Sequence, residues 1–249
     1  MEEGVTGVAV KILDDLLSTL DFDVEVVDIR QGPFQTAVVT RYCALASTPH
    51  DHGNHHERPA VREAGALLGK SALEIAKMAY SSSPFEVAIG MATINSLLEV
   101  DEECCVALNA GDLLLERGNA KRVAVFGHFP FVDRLRQAVR ELWVIEQSPG
   151  EGDFPESEAE NLMPQADVVA ITGATFTNHT IERLLRLCHP EAYVIVLGPT
   201  VPLSPVLFGY GVDAISGTRV VDVEVVLQGV SQGATFRQLE GIQRLTMQK

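Results

Sequence analysis

A chain of 249 residues can hold one large domain or two ordinary ones, each with a core of its own. Its 34 Asp and Glu against 19 Lys and Arg give a formal net charge of -15, which repels nucleic-acid phosphates and anionic membrane surfaces and excludes both as partners. Met1-Glu2-Glu3 lacks the basic start of a secretory leader, no apolar run spans a bilayer, and the cysteines at 43, 104, 105 and 188 lack paired spacing, so a cytoplasmic chain with reduced thiols is expected.

From Val5 to Leu20, apolar residues at 5, 8, 9, 12, 13, 16, 17 and 20 predict an amphipathic helix that stops at Asp21. Phe22 to Ile29 alternates apolar and acidic residues, the turn Gln31-Gly32-Pro33 follows, and Thr36 to Thr40 reads as the hairpin partner. The polar stretch Ser47 to Pro59 reads as a loop and holds His50, His52, His55 and His56 beside Asp51. Ser71 with Glu74 predicts a capped helix through Tyr80, and Ser83-Pro84 opens a second helix reaching about Glu99. That second helix carries Ala88, Gly90, Ala92 and Thr93, small enough for close backbone approach, and sets Asn95 on an otherwise apolar surface, where it needs a partner. A short helix over Ala110 to Arg117 ends at Gly118. The expected division is an α+β domain over residues 1–118 and an α/β domain over residues 119–249.

The C-terminal half alternates strands with helices: Val123–Gly127, Leu142–Glu146, Asp167–Thr172, Tyr193–Leu197 and Asp213–Ser216 are the predicted strands. Phe131 to Glu141, Asn178 to Cys188 and Val220 to Val230 read as helices, with Asp222 capping the last. In the first of them Val132, Leu135 and Val139 face a sheet, while Asp133, Arg134, Arg136 and Arg140 face water. This is the pattern of a doubly wound parallel sheet, whose loops gather at the carboxyl ends of its strands.

Four loops should therefore converge: Gly127-His128-Phe129-Pro130, Glu146 to Pro155, Thr172-Gly173 through Asn178, and Gly198-Pro199 through Ser204-Pro205. Glu146 holds the position from which an acidic residue binds a ribose in dinucleotide folds, yet the glycine fingerprint for a pyrophosphate is missing, so NAD is not expected. His128 can act as a metal ligand or proton carrier, or can simply hydrogen-bond a loop carbonyl. Glu146 and Asp153 are ligands on one reading and solvated loop charges on the other. Asn178-His179-Thr180 matches a glycosylation acceptor but reads better as a helix cap. Ser204 is a cap whose loop offers N–H groups to an anion. The cluster His50, His52, His55 and His56 with Asp51 has the donor types for a transition metal but matches no closed zinc spacing, so adventitious binding competes with a specific site.

The phrases Gly127-His128-Phe129-Pro130 and Glu151-Gly152-Asp153-Phe154-Pro155, with Gly198-Pro199-Thr200-Val201-Pro202-Leu203-Ser204-Pro205 downstream, resemble the signature of a heavy-metal chelation family of uncharacterised prokaryotic proteins. Upstream, Glu86 to Asn95 resembles that family's first-domain helix. The resemblance implies an enolase N-terminal-like α+β domain followed by a Rossmann-like domain, a site in the cleft between them, and heavy-metal handling linked to anaerobic cobalamin synthesis. It also implies that Gly127, His128, Phe129, Pro130, Glu146, Gly198, Pro199, Ser204 and Pro205 line one side of the cleft, with Asn95 on the other. Thr172, Gly173 and Asn178 complete the candidate ligand-binding set. The histidine-rich loop lies outside the matched pattern.

Two functional readings follow. The first is a metal-binding protein or metal-dependent enzyme of small-molecule metabolism, with a transition metal as cofactor and His128 and Glu146 as ligands or acid–base groups. The second is a non-catalytic binding protein or sensor that takes a nucleotide-like or anionic metabolite on the Gly-Pro loops. Either way the partner is a small molecule or metal ion, and assembly into a homo-oligomer is left open.

Overall fold

The computed structural model describes residues 11–21, 23–49 and 60–249. His50, His52, His55 and His56, with Asp51, lie outside these residues, as do Phe22 and the predicted helical positions before Lys11. In chain order the elements are α1 (Lys11–Ser18), β1 (Asp28–Gln31), β2 (Gln35–Val39), β3 (Cys43–Ser47), α2 (Ala72–Ala76), α3 (Pro84–Leu97), β4 (Cys105–Val106) and α4 (Ala110–Gly118). They continue with β5 (Arg122–Phe126), α5 (Val132–Ala138), β6 (Glu141–Glu146), β7 (Phe154–Pro155), α6 (Ala159–Leu162), β8 (Val168–Thr172) and α7 (Ala174–Thr177). The last are α8 (Ile181–Leu187), β9 (Tyr193–Leu197), β10 (Ala214–Val220), α9 (Val223–Ser231) and β11 (Ile242–Gln248). No helix of the described residues is long and apolar enough to cross a membrane.

The N-terminal half is built on a three-stranded antiparallel sheet, β1-β2-β3. The predicted turn closes its first hairpin, with Gly32 N donating to Gln35 O at 2.9 Å. The strand predicted over Phe22 to Ile29 is corrected, because pairing with β2 runs only from Asp28↔Val39 to Gln31↔Thr36. Upstream, Val24 O instead accepts from Ala72 N, and Val26 exchanges bonds with Lys70 O and Gly69 N. A two-residue apolar period marks an extended chain without naming its partner. Strand β3 was not expected, since Cys-Ala-Leu-Ala-Ser is poor in the β-branched and aromatic residues that favour strands.

Helix α3 is buried on nearly every side. The absent side chain at Gly90 makes this possible: a Cβ there would lie 2.1 Å from Ala79 N and 2.7 Å from Met78 C. One face of the small sheet, through Val38 and Ala46, joins the core around α3. Its other face, through Ala37, Cys43 and Leu45, packs on Val226 and Val230 of α9 and on Leu239. The core around α3 also contains Phe176, Val201 and Leu203, so the two halves share one apolar interior.

The large sheet has the order β4-β11-β10-β9-β8-β5-β6-β7. Strands β5 to β10 are mutually parallel, and β11 and β4 extend the sheet antiparallel. Counted among themselves, the parallel strands run third-second-first-fourth-fifth-sixth, the doubly wound order whose crevice opens where the order reverses. That reversal lies between β5 and β8. Because β4 pairs with β11, the chain joins the large sheet before residue 119.

Other differences have local causes. The strand predicted to end at Ser216 runs to Val220, since β11, which was not foreseen, pairs with it from Ala214↔Gln248 to Val220↔Ile242. The helix predicted over Phe131 to Glu141 stops at Ala138, because Val139 bridges to Asn119 and Glu141 opens β6. Helix α8 begins at Ile181 after Thr180, and the expected Asn178 cap is corrected: its Oδ1 accepts from Thr180 N at 3.2 Å and Thr180 Oγ1 at 2.6 Å, in the turn ahead of the helix. His179, with φ of 58°, reaches back to the N-terminal half, where its Nε2 donates to Ala79 O at 2.7 Å.

Glu86, in the first turn of α3, is 1% exposed and accepts from Arg62 N, Nε and Nη2 at 2.9, 3.0 and 2.9 Å and from Ser81 Oγ at 2.5 Å. Burial alone pushes its carboxyl up, but the donors from Arg62 and Ser81 outweigh burial and hold it below the usual range. A carboxyl lowered by folding stabilises the native state above its unfolded value, and that stability is lost as pH falls through the folded value.

Two outcomes are expected. Gly90→Ala lowers the unfolding free energy by about 1–3 kcal/mol or more through overpacking. Gly209→Ala, where a Cβ meets nothing within 4 Å, stays within roughly 0.5 kcal/mol in the same urea titration. Between about pH 7 and about pH 3, wild type loses more stability than Glu86→Gln, with the divergence below about pH 4.3; parallel urea midpoints would contradict the assignment.

Candidate ligand-binding site

Strand β5 ends at Gly127, which adopts φ of 107° while its N donates to Ile145 O at 2.9 Å. This left-handed backbone suits glycine, and a Cβ would also sit 2.9 Å from Thr172 Cβ. The chain thus turns over the sheet edge and delivers His128, Phe129, Pro130 and Phe131. Phe131 lies on Gly111 of α4, where a Cβ would approach its ring within 2.9 Å. The Phe129 and Phe131 rings stack with centroids 5.0 Å apart and planes 7° from parallel.

Strand β9 ends the same way. Gly198 adopts φ of 126°, and its N donates to Ser216 O at 3.0 Å. Beyond Pro199 the loop dives toward the N-terminal half. Thr200 is fully buried, its Oγ1 accepting from Ser47 N at 2.9 Å and its O from Asn95 Nδ2 at 3.1 Å. Asn95 Nδ2 also donates to Leu45 O at 3.1 Å, so one amide holds α3, β3 and this loop together. The other amide atom, Asn95 Oδ1, is buried and has no partner among the described residues.

Between these two turns lies a cavity of about 330 Å³. Its lining comes from Asn109 and Ala110, from Phe129 to Phe131 with Arg134, from Leu197 to Pro199, from Ser216 to Thr218, and from Phe236, Arg237 and Arg244. All of it lies within residues 109–249, with only Asn109 and Ala110 preceding the expected boundary at 119, whereas the sequence led to a cleft between the halves. The N-terminal half contributes by clasping the Thr200 end of the loop.

Three arginines and no carboxylate line this space, in a chain of net charge -15. Arg134, expected to face water, edges the cavity and pairs with Asp112 at 3.0 Å. The Arg244 guanidinium lies 5.4 Å from the Phe236 ring centroid. Neither Arg237 nor Arg244 is paired with a carboxylate among the described residues.

Of the sequence-derived candidates, Phe129, Pro130, Gly198 and Pro199 line the cavity. Gly127, Thr172 and Gly173 lie beneath the loops: Thr172 Oγ1 accepts from Ala174 N at 3.3 Å, and a Cβ at Gly173 would strike Val201 at 2.6 Å. Ser204 is 3% exposed and caps the turn after it, accepting from Val206 N at 3.4 Å. Asn178 lies in the turn ahead of α8. His128 Nδ1 lies 3.4 Å from Asp153 Oδ2, which also accepts from Gly150 N at 3.1 Å. Glu146 closes β6, paired with Pro155 across the strand edge. No group of three or more His, Cys, Asp or Glu able to hold a metal comes together among the described residues. The residues that sequence reasoning passed over are Asn109, Arg134, Ser216 to Thr218, Phe236, Arg237 and Arg244; the one available signal was basic and aromatic residues recurring after 235 in an acidic chain.

Comparison with known proteins places the chain. Two family models match, over residues 13–98 and 109–249, each described as "Putative heavy-metal chelation". An uncharacterised protein of Methanocaldococcus jannaschii is 29% identical over 167 residues, a match spanning 64% of this chain and 64% of that relative's length. A crystal structure of a protein of unknown function from Desulfitobacterium hafniense DCB-2 superposes with a TM-score of 0.81 at 27% identity, covering 96% of this chain and 97% of that one. A second, from Pyrococcus horikoshii, shares the fold with a TM-score of 0.78 at 20% identity, covering 96% and 98%. Since the match over residues 109–249 takes in more than half of the chain, this protein belongs to the family of that heavy-metal chelation description.

Proposed function

We propose that the chain binds an anionic small molecule at the carboxyl edge of its large sheet, in the cavity between the Gly127 and Gly198 turns. One observation supports this reading above the others: Arg134, Arg237 and Arg244 line the space and no carboxylate does. In a chain this acidic, a cationic concavity concentrates anions against the field of the whole molecule. Guanidinium groups suit carboxylate and phosphate because their planar donors can bond two oxygens at once. The doubly wound sheet acts as the Rossmann-like half that the family resemblance implies, and the small sheet with α3 as its enolase N-terminal-like half.

The family description adds a heavy metal. The cavity lining is guanidinium, phenyl, amide and hydroxyl, which does not make a coordination sphere for a soft or borderline ion. A metal handled there arrives inside an anionic complex that brings its own donors. Direct coordination is the second reading, favoured by the contact between His128 and Asp153 beside the same loop. Two donors leave the remaining positions to the metal's other ligands.

Calorimetric titration of the untagged full chain with citrate and pyrophosphate separates the readings. Binding is expected to weaken about tenfold in each of Arg237→Ala and Arg244→Ala, a change of about 1.4 kcal/mol, and to fall with added salt. Affinity unchanged in both variants refutes the anion site. Binding of zinc or cobalt alone that His128→Ala abolishes, with no response to anions, supports the second reading in its place.

A further inference from the structure

We infer that the ligand of this cavity carries an aromatic ring as well as its oxyanion, so that an aryl phosphate or aryl carboxylate of about mononucleotide size is the class that the site takes. This rests on the anion-binding reading and narrows it. The cationic groups are only half of what the lining offers. Phe129 and Phe131 present a near-parallel stacked pair, and Phe236 presents a third ring beneath the Arg244 guanidinium.

An inorganic anion would satisfy the arginines and leave the open part of three half-buried phenyl rings to water, which loses the apolar area that they could still bury. A ring inserted beside them recovers it, with the Arg244 guanidinium already over one face of Phe236. Gly198 and Gly217 offer the cavity backbone only, and the side of Gly217 that a Cβ would occupy is already filled by Leu203, 2.7 Å away. At about 330 Å³ the cavity stands at the lower end of small-molecule sites, which suits one ring system with one oxyanion rather than a dinucleotide. The missing pyrophosphate fingerprint after β5 points the same way.

The test compares phenyl phosphate, ethyl phosphate and inorganic phosphate by calorimetry on the full chain. Phenyl phosphate is expected to bind about tenfold more tightly than ethyl phosphate, in line with what stacking of one ring contributes. Phe236→Leu, which keeps an apolar side chain without the ring, narrows the ratio of phenyl phosphate to ethyl phosphate affinity. Arg237→Ala weakens all three. Equal affinity for phenyl and ethyl phosphate overturns the aromatic inference while leaving the anion site standing. Failure of all three to bind overturns both.

Discussion

Two strand ends carry everything found at the carboxyl edge. Gly127 and Gly198 turn through φ of 107° and 126°, where a side chain would strain the backbone, and each donates its N–H to the neighbouring strand as it turns. The reversal after β5 brings Phe129, Pro130 and Phe131 over the edge, and the reversal after β9 sends Thr200 away from it. A cavity opens between them because one loop folds over the sheet and the other leaves. Thr172, Gly173 and Val201 pack underneath, so these residues support the site without facing it.

The halves are joined by burial and then pinned by polar contacts. The small sheet is covered on both faces, by α3 on one and by α9 with Leu239 on the other, so it has no solvent face of its own. Asn95 then ties α3, β3 and the Gly198 loop with one amide, and His179 ties the turn before α8 to Ala79. Buried donors and acceptors of this kind cost about 1–3 kcal/mol when left unmade, which makes the relative placement of the halves specific. The Gly198 loop therefore inherits its position from residues of the N-terminal half, although none of them lines the cavity.

Charge separates the possible chemistries. The surface is strongly acidic, yet the cavity gathers three arginines without a counter-carboxylate in its lining. On the proposed reading such a site takes a negatively charged ligand, and its phenyl rings favour a flat one. On the same reading a metal would enter as part of a complex; among the described residues no group of three or more His, Cys, Asp or Glu comes together to hold one. The family to which the chain belongs is described by chelation, and an anionic chelate is the form of metal that this lining could receive.

Elements whose signal is local could be read from the order of residues alone. Tyr193–Leu197 was read as a strand with its observed bounds, Ser71 and Asp222 cap the helices they were expected to cap, and the strand-helix alternation after residue 119 is a parallel-rich α/β sheet. What depends on partners was not legible. Strand β11 and the extension of β10 exist because they pair with each other, and β3 exists because two layers bury it. The cavity is a stronger case: Asn109, Arg134, Ser216 and Arg244 are far apart in the chain, and their meeting depends on strand order and on which side each loop leaves the sheet. The sequence alone determined the acidic balance, the alternation of elements and the two turn glycines, because these are properties of neighbouring residues. Only the tertiary structure decided that the scattered arginines and phenylalanines face one space, because that requires long-range pairing and packing which no local pattern encodes.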